Sequence, residues 1–226
     1  MKSLTVNSRR ILIAAVVLFV ALPTLLDAQA WGDREARRGL TIGPGFQAGA
    51  SMIQDSPEGF KIKPTFAFRA DVHTTYPLVP TVAVGLGLGY DSRGTLLHVH
   101  DNDAISGTVK TAYFSIHPHF VFSGFSLGVN FGLPLGDPAT SIGGVPGSGS
   151  EQPVMIEPRI EGIIPLVDDE TGWASLVIGG GYSLSPLIDI DATDVSGDWH
   201  HFSAHLGFRY EFLIPDTQAD NDFVTE

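Results

Sequence analysis

The chain has 226 residues, 26 glycines, no cysteine, a formal net charge of -12 and only 17% charged residues. The missing cysteine excludes disulfide scaffolds, thiolate metal sites and cysteine nucleophiles, and the acidity argues against a nucleic-acid binder, which would need a basic face to meet phosphates. A hydrophobic content of 43% with mean hydropathy +0.16 is ample for a folded core and argues against disorder.

The N-terminus is an export address. Lys2, Arg9 and Arg10 precede an apolar run from Ile11 to Val20 that extends through Leu22, and Ala28-Gln29-Ala30 supplies the small-x-small cleavage pattern. Residues 1–30 are expected to be a signal peptide and 31–38 a short N-terminal periplasmic segment. Cleavage after Ala30 would leave 10 basic residues against 24 acidic ones. No later stretch reaches the roughly 18 consecutive apolar residues of a membrane helix.

Beyond Arg38 the dominant signal is alternation with a period of two. The first run sets Leu40, Ile42, Phe46, Ala48 and Ala50 against Thr41, Gly43, Gly45, Gln47 and Gly49. The second sets Ile62, Phe66, Phe68, Ala70, Val72 and Tyr76 against Lys61, Lys63, Thr65, Arg69, Asp71 and His73. The third opposes Val82 to Tyr90 with Ala83, Gly85, Gly87 and Gly89, and the fourth opposes Ala112 to Phe122 with Thr111, Tyr113, Ser115, His117 and His119. Ser126, Gly128, Asn130 and Gly132 mark the polar side of the fifth run, and Glu157, Arg159 and Glu161 that of the sixth. Ser175, Gly179, Gly181 and Ser183 mark the seventh, and Ser203, His205, Gly207, Arg209 and Glu211 the eighth. Eight such runs have the length, ~9–11 residues or slightly more, at which a tilted strand crosses a bilayer.

The connections sort by length. Those at 77–80, 123–124 and 167–172 are short, while 53–59, 91–106, 134–152 and 186–200 read as long loops rich in Gly, Pro, Ser and Asp. Short turns at one end and long loops at the other is the asymmetry of an outer-membrane barrel. A soluble lipocalin-like barrel would alternate as well, but with an outer face crowded by Lys and Glu. Here the polar face offers Gly, Ser, Ala, Asn and Gln on some strands and bulky charges on others, as a narrow filled lumen requires. The other face is nearly free of charge, as lipid requires. With a periplasmic N-terminus, Tyr76, Phe122, Phe125, Trp173, Tyr210 and Phe212 fall near the short-turn rim. Phe60, Tyr90, Tyr182, Trp199 and Phe202 fall near the other, giving two aromatic belts. Prolines 44, 64, 118 and 158 lie on the lipid-side parity and need bulges or rims to excuse their missing N–H groups.

The runs Gly89-Tyr90-Asp91-Ser92-Arg93-Gly94 and Tyr113-Phe114-Ser115-Ile116-His117-Pro118 resemble the outer-membrane β-barrel domain family of PorT-like proteins. The strand His205-Leu206-Gly207-Phe208-Arg209-Tyr210-Glu211-Phe212 is similar to the C-terminal signal of outer-membrane barrels, with His205, Gly207, Tyr210 and Phe212 in the recognised positions. The likeness covers most of residues 39–214. It implies an all-β, eight-stranded antiparallel up-and-down transmembrane barrel in a Gram-negative outer membrane. It also implies outer-membrane lipid, lipopolysaccharide and the barrel assembly machinery as partners. The signal ordinarily ends its chain, whereas here residues 215–226 follow as an acidic tail expected in the periplasm.

Candidate chemistry is sparse, and no cofactor or catalytic residue is assigned. The inward set Arg69, Asp71, Glu157, Arg159, Glu161, Arg209 and Glu211 is expected to form a salt-bridged plug rather than an ion path. His98, His100, Asp101 and Asp103 with Asp191, Asp194 and Asp198 read as solvated loops rather than a cation site. An outer-leaflet lipid A hydrolase using His201, Ser203 and Glu211 is the enzymatic alternative. Glu211 stands ten residues along the strand from His201, roughly 33 Å away, too far to orient it. The expected role is structural, surface-interacting or secretion-associated.

Overall fold

The computed structural model describes residues 39–54, 60–79, 82–99, 102–122, 124–142, 145–147, 152–169, 171–186 and 200–215. They form strands β1 (Gly39–Ile53), β2 (Phe60–Lys63), β3 (Thr65–Val79), β4 (Val82–Val99), β5 (Asn102–Phe122), β6 (Phe125–Pro134), β7 (Ala139–Ile142), β8 (Val145–Gly147), β9 (Met155–Asp168), β10 (Gly172–Pro186) and β11 (His200–Pro215). β1, β3, β4, β5, β6, β9, β10 and β11 each pair antiparallel with their neighbours in the chain, and β11 pairs back onto β1. The result is a closed, eight-stranded, up-and-down barrel. The signal peptide, the segment 31–38 and the acidic tail after Pro215 lie outside the described residues.

Closure has a measurable stagger. Partners followed once around the ring run Thr41, Thr75, Gly85, His119, Gly128, Arg159, Gly181, Ser203 and then Ser51. The path returns to β1 ten residues beyond its start, so the shear is ten. With a rise of about 3.3 Å and a strand spacing of about 4.8 Å, that shear means a tilt of about 40° and a backbone radius of about 8 Å. Once side chains enter such a ring, little lumen is left.

At the short-turn end Gly124, at φ +84°, reverses the chain between Phe122 and Phe125. The opposite end departs from the sequence expectation. Residues 91–106 were expected as a loop, yet β4 runs to Val99 and β5 starts at Asn102, paired as far as Val99↔Asn102. The alternation simply continues through Asp91 and Arg93, whose charge mimics a loop. Within 134–152, also expected as a loop, β7 pairs with β5 and β8 with β7. These extensions, with β2 on β4, lift a small sheet above the ring.

The prolines each remove hydrogen bonds toward one neighbour only. Pro44 still faces Val72 of β3 while the β1–β11 pairing skips from Ile42 to Gly45. Pro118 faces Leu86 of β4, and the β5–β6 pairing skips from Ile116 to His119. Pro158 faces Val129 of β6, past the last β9–β10 pair at Arg159. Just beyond, the Ile156 N–H donates to the Ser185 hydroxyl at 3.0 Å. Pro64 separates β2 from β3. Five steps from Lys63 to Phe68 there span four steps from Leu96 to Ser92, a bulge that inverts the alternation. Lys61 and Lys63 were expected on the inner face; they share the outer face with His98 and Leu96 instead. Near the same break the Ser51 hydroxyl donates to the Gly94 carbonyl at 2.8 Å and accepts its N–H at 2.9 Å. Those are groups a severed ladder would otherwise orphan.

The seam between β1 and β11 has no room for a side chain at Gly43, where an added Cβ would lie 1.7 Å from the Tyr210 carbonyl oxygen. Gly43→Val is therefore expected to abolish the compact, heat-modifiable form on cold gel electrophoresis. Ala48→Val, on the outer face of the same strand, is expected to keep it.

Candidate functional site

The two faces of the barrel settle its solvent. Among the described residues, 25 polar or charged side chains are buried against 9 hydrophobic ones, while 28 large hydrophobic side chains are exposed. Phe46, Phe66, Phe120, Leu206 and Phe208 all point outward, the reverse of a lipocalin-like barrel. An exterior of this kind is stable only against hydrocarbon.

The centre of the lumen is one connected ionic cluster. Arg93 Nε donates to Asp91 Oδ1 at 2.8 Å and Nη2 to Asp91 Oδ2 at 2.7 Å. The same guanidinium donates from Nη1 to Glu157 Oε1 at 2.6 Å and from Nη2 to Glu157 Oε2 at 2.7 Å. Arg159 Nη2 reaches Glu157 Oε2 at 2.6 Å and Asp91 Oδ2 at 3.1 Å. The Ser203 hydroxyl donates to Glu157 Oε1 at 2.8 Å, and Asn130 Nδ2 to Asp91 Oδ2 at 3.3 Å, with Ser115 donating in turn to Asn130. Five of these residues come from β4, β9 and β11, on well-separated parts of the ring, so the cluster ties the wall together across the lumen.

A second group lies beside it. Arg69 Nη2 meets Asp71 Oδ2 at 2.7 Å, and Arg209 Nη2 meets Glu161 Oε2 at 3.1 Å. Gln47 donates to Glu161 Oε1 at 3.2 Å, and Arg69 Nη1 lies 3.8 Å from that oxygen. Toward the short-turn end Glu211 accepts from Thr41 at 3.2 Å, from Thr75 at 3.0 Å and from the Trp173 indole N–H, with His73 Nε2 at 3.6 Å. Space for these long side chains comes from glycine on neighbouring strands. A Cβ on Gly181 would fall 2.4 Å from the Glu157 carboxyl carbon, and one on Gly87 would fall 2.9 Å from Arg69 Nη2.

All seven inward charges read from the sequence are buried in this lumen. Sequence reasoning missed Asp91 and Arg93, the centre of the cluster, although the odd-numbered parity of Gly85, Gly87 and Gly89 carries straight into them. His73, His117, His119 and His201 are buried with them, His117 and His119 stacked at 4.8 Å. Trp173, expected in the lipid-facing belt, is turned inward to Glu211. Tyr76, Phe122 and Phe212 are exposed near the short-turn end; Trp199 and the Phe60 side chain lie outside the described residues. In the C-terminal strand Gly207 faces Gln47, and Tyr210 meets Phe212 edge-on at 4.6 Å. His205 lies on the inner parity.

The enzymatic constellation does not assemble: Ser203 bonds Glu157, and Glu211 is held by Thr41, Thr75 and Trp173. Of the cation-site candidates, His98 lies on β4, while His100, Asp101, Asp191, Asp194, Asp198 and the Asp103 side chain lie outside the described residues. Among the described residues no three His, Asp or Glu side chains form a metal-sized group.

No family model matches the chain, and neither does any curated protein. Solved structures similar to it include the outer membrane protein OprG from Pseudomonas aeruginosa, at 11% identity and a TM-score of 0.40, covering 79% of this chain and 98% of that one. Neisserial surface protein A (NspA) is similar at 9% identity and a TM-score of 0.36, covering 76% and 96%. Ail, the attachment invasion locus protein of Yersinia pestis, is similar at 15% identity and a TM-score of 0.37, covering 77% and 99%. At these values the barrel assignment stands on this chain's own strand pairing and faces.

Removing one member of a buried ionic cluster strands its partners' charge, at about 3–5 kcal/mol. Glu157→Ala is expected to lose stability of that order, about 3 kcal/mol or more, in urea unfolding from lipid vesicles, because two arginines share that carboxylate. Asp137→Asn, exposed just beyond β6, is expected to change it by less than about 0.5 kcal/mol.

Proposed function

We propose that this protein is a non-enzymatic barrel of the Gram-negative outer membrane, its lumen plugged and its working surface the sheet raised above the long-loop end. The observation that carries this reading is the Arg93–Glu157–Arg159–Asp91 cluster, closed wall to wall inside a ring of about 8 Å radius. A diffusion pore needs an open aqueous path, and this axis is crossed by paired charges at hydrogen-bond distance. Binding therefore falls to the rim, where β2, β7 and β8 broaden the hairpin of β4 and β5. A structural or secretion-associated role of the PorT-like kind uses the same surface. It rests on the runs 89–94, 113–118 and 205–212 alone.

In planar bilayers the purified barrel is expected to give no sustained open-channel current. Long-lived large conductance steps in the native protein would refute the plug. Incubation with lipopolysaccharide is expected to release no fatty acid; release that disappears in Ser203→Ala would replace this reading with the hydrolase.

A further inference from the structure

From residue 39 onward the chain carries seven lysines and arginines, and they are sorted by type. Arg69, Arg93, Arg159 and Arg209 are buried in the lumen. Lys61, Lys63 and Lys110 are exposed, and all three stand on one outward face. Lys61 is opposite His98 and Lys63 opposite Leu96; Lys110 is opposite Gly94, two residues below Leu96 on the same side of β4. The sorting depends on the Pro64 bulge. Without it, strand alternation would have sent Lys61 and Lys63 inward.

Gly94 completes the arrangement. An added Cβ there would lie 3.4 Å from Lys110 Cγ and 3.0 Å from Thr65 Cγ2, so the Lys110 stem lies over bare backbone, leaning from β5 toward β3. Below this edge the outer face turns abruptly apolar. Phe68 lies 6.4 Å from Phe46, 6.1 Å from Phe66 and 5.4 Å from Tyr90, ring centre to ring centre, and Phe66 is 66% exposed. Three lysines thus stand at the upper border of a four-ring aromatic shelf that faces hydrocarbon.

We propose that this face binds the phosphate-bearing headgroup of a lipid in the external leaflet, with the lysines on its phosphates and its acyl chains on the aromatic shelf. The inference rests on the outer-membrane reading, with the short turns in the periplasm. Charge complementarity selects the occupant. The chain as a whole is acidic at -12 and repels anions generally, so a cationic edge at headgroup height singles out one position for a negative lipid. Lysine suits the place, since its stem covers apolar surface while its ammonium reaches the phosphates.

The test is native mass spectrometry of the folded barrel in detergent, with bisphosphorylated lipid A, dephosphorylated lipid A and inorganic phosphate as probes. Folding is verified first by heat-modifiability and vesicle insertion. If the native chain fails that step, the membrane reading itself falls and takes the proposal with it. The folded native barrel is expected to prefer the bisphosphorylated lipid by about tenfold to a hundredfold. The combined Lys61→Gln, Lys63→Gln and Lys110→Gln variant is expected to lose that preference, and the matching Lys→Arg variant to keep it. A glutamine variant that folds and retains the preference overturns the proposal, as does a native barrel with none. Inorganic phosphate competing at equal phosphate concentration would overturn the lipid source in favour of a soluble phosphate ligand.

Discussion

Within hydrocarbon a strand edge has nothing to bond, and this single constraint organises the molecule. Eight strands can satisfy their backbones there only by joining the first to the last, as β1 joins β11 from Gly39↔Pro215 to Ile53↔His201. Closure with a shear of ten then dictates radius and tilt, and the radius dictates what the lumen can hold. Glycine at 181, 87 and 85 is the counterpart of Glu157, Arg69 and His119, each small position leaving the volume its large neighbour fills.

Charge inside so narrow a ring is stable only when paired. The cluster accordingly gives Arg93 two carboxylates, and Glu157 two guanidiniums and a hydroxyl. Such a network adds little net stability over an apolar filling, but it specifies which walls face each other. Because β4, β9 and β11 are far apart in sequence, a register slip on any of them would break several ionic contacts at once.

Much of this was legible in the residues. Period-two alternation identified all eight membrane strands and their inner sides, because lipid and lumen impose opposite chemistry on alternate positions. Three features escaped it, each for a physical reason. Asp91-Ser92-Arg93-Gly94 has the composition of a loop, yet it is strand, since charge in a lumen obeys the same parity as glycine. Lys61 and Lys63 changed face because one residue bulges at Pro64, and such a slip leaves no trace in hydrophobicity. Trp173 was assigned by residue type to an interfacial ring, whereas its odd position shares the inner parity of Ser175, and there its indole N–H donates to Glu211.

The central claim is the assignment of faces, and site-directed spin labelling tests it most directly. The native chain has no cysteine, so single cysteines can be placed in turn from Phe202 to Phe212 on β11, leaving Gly207 untouched because a Cβ there would meet the Phe46 carbonyl oxygen, and labelled in lipid vesicles. Oxygen accessibility is expected to peak at 204, 206, 208 and 210 and to fall at 203, 205 and 209. A flat profile, or one with its maxima on the odd positions, would contradict the account.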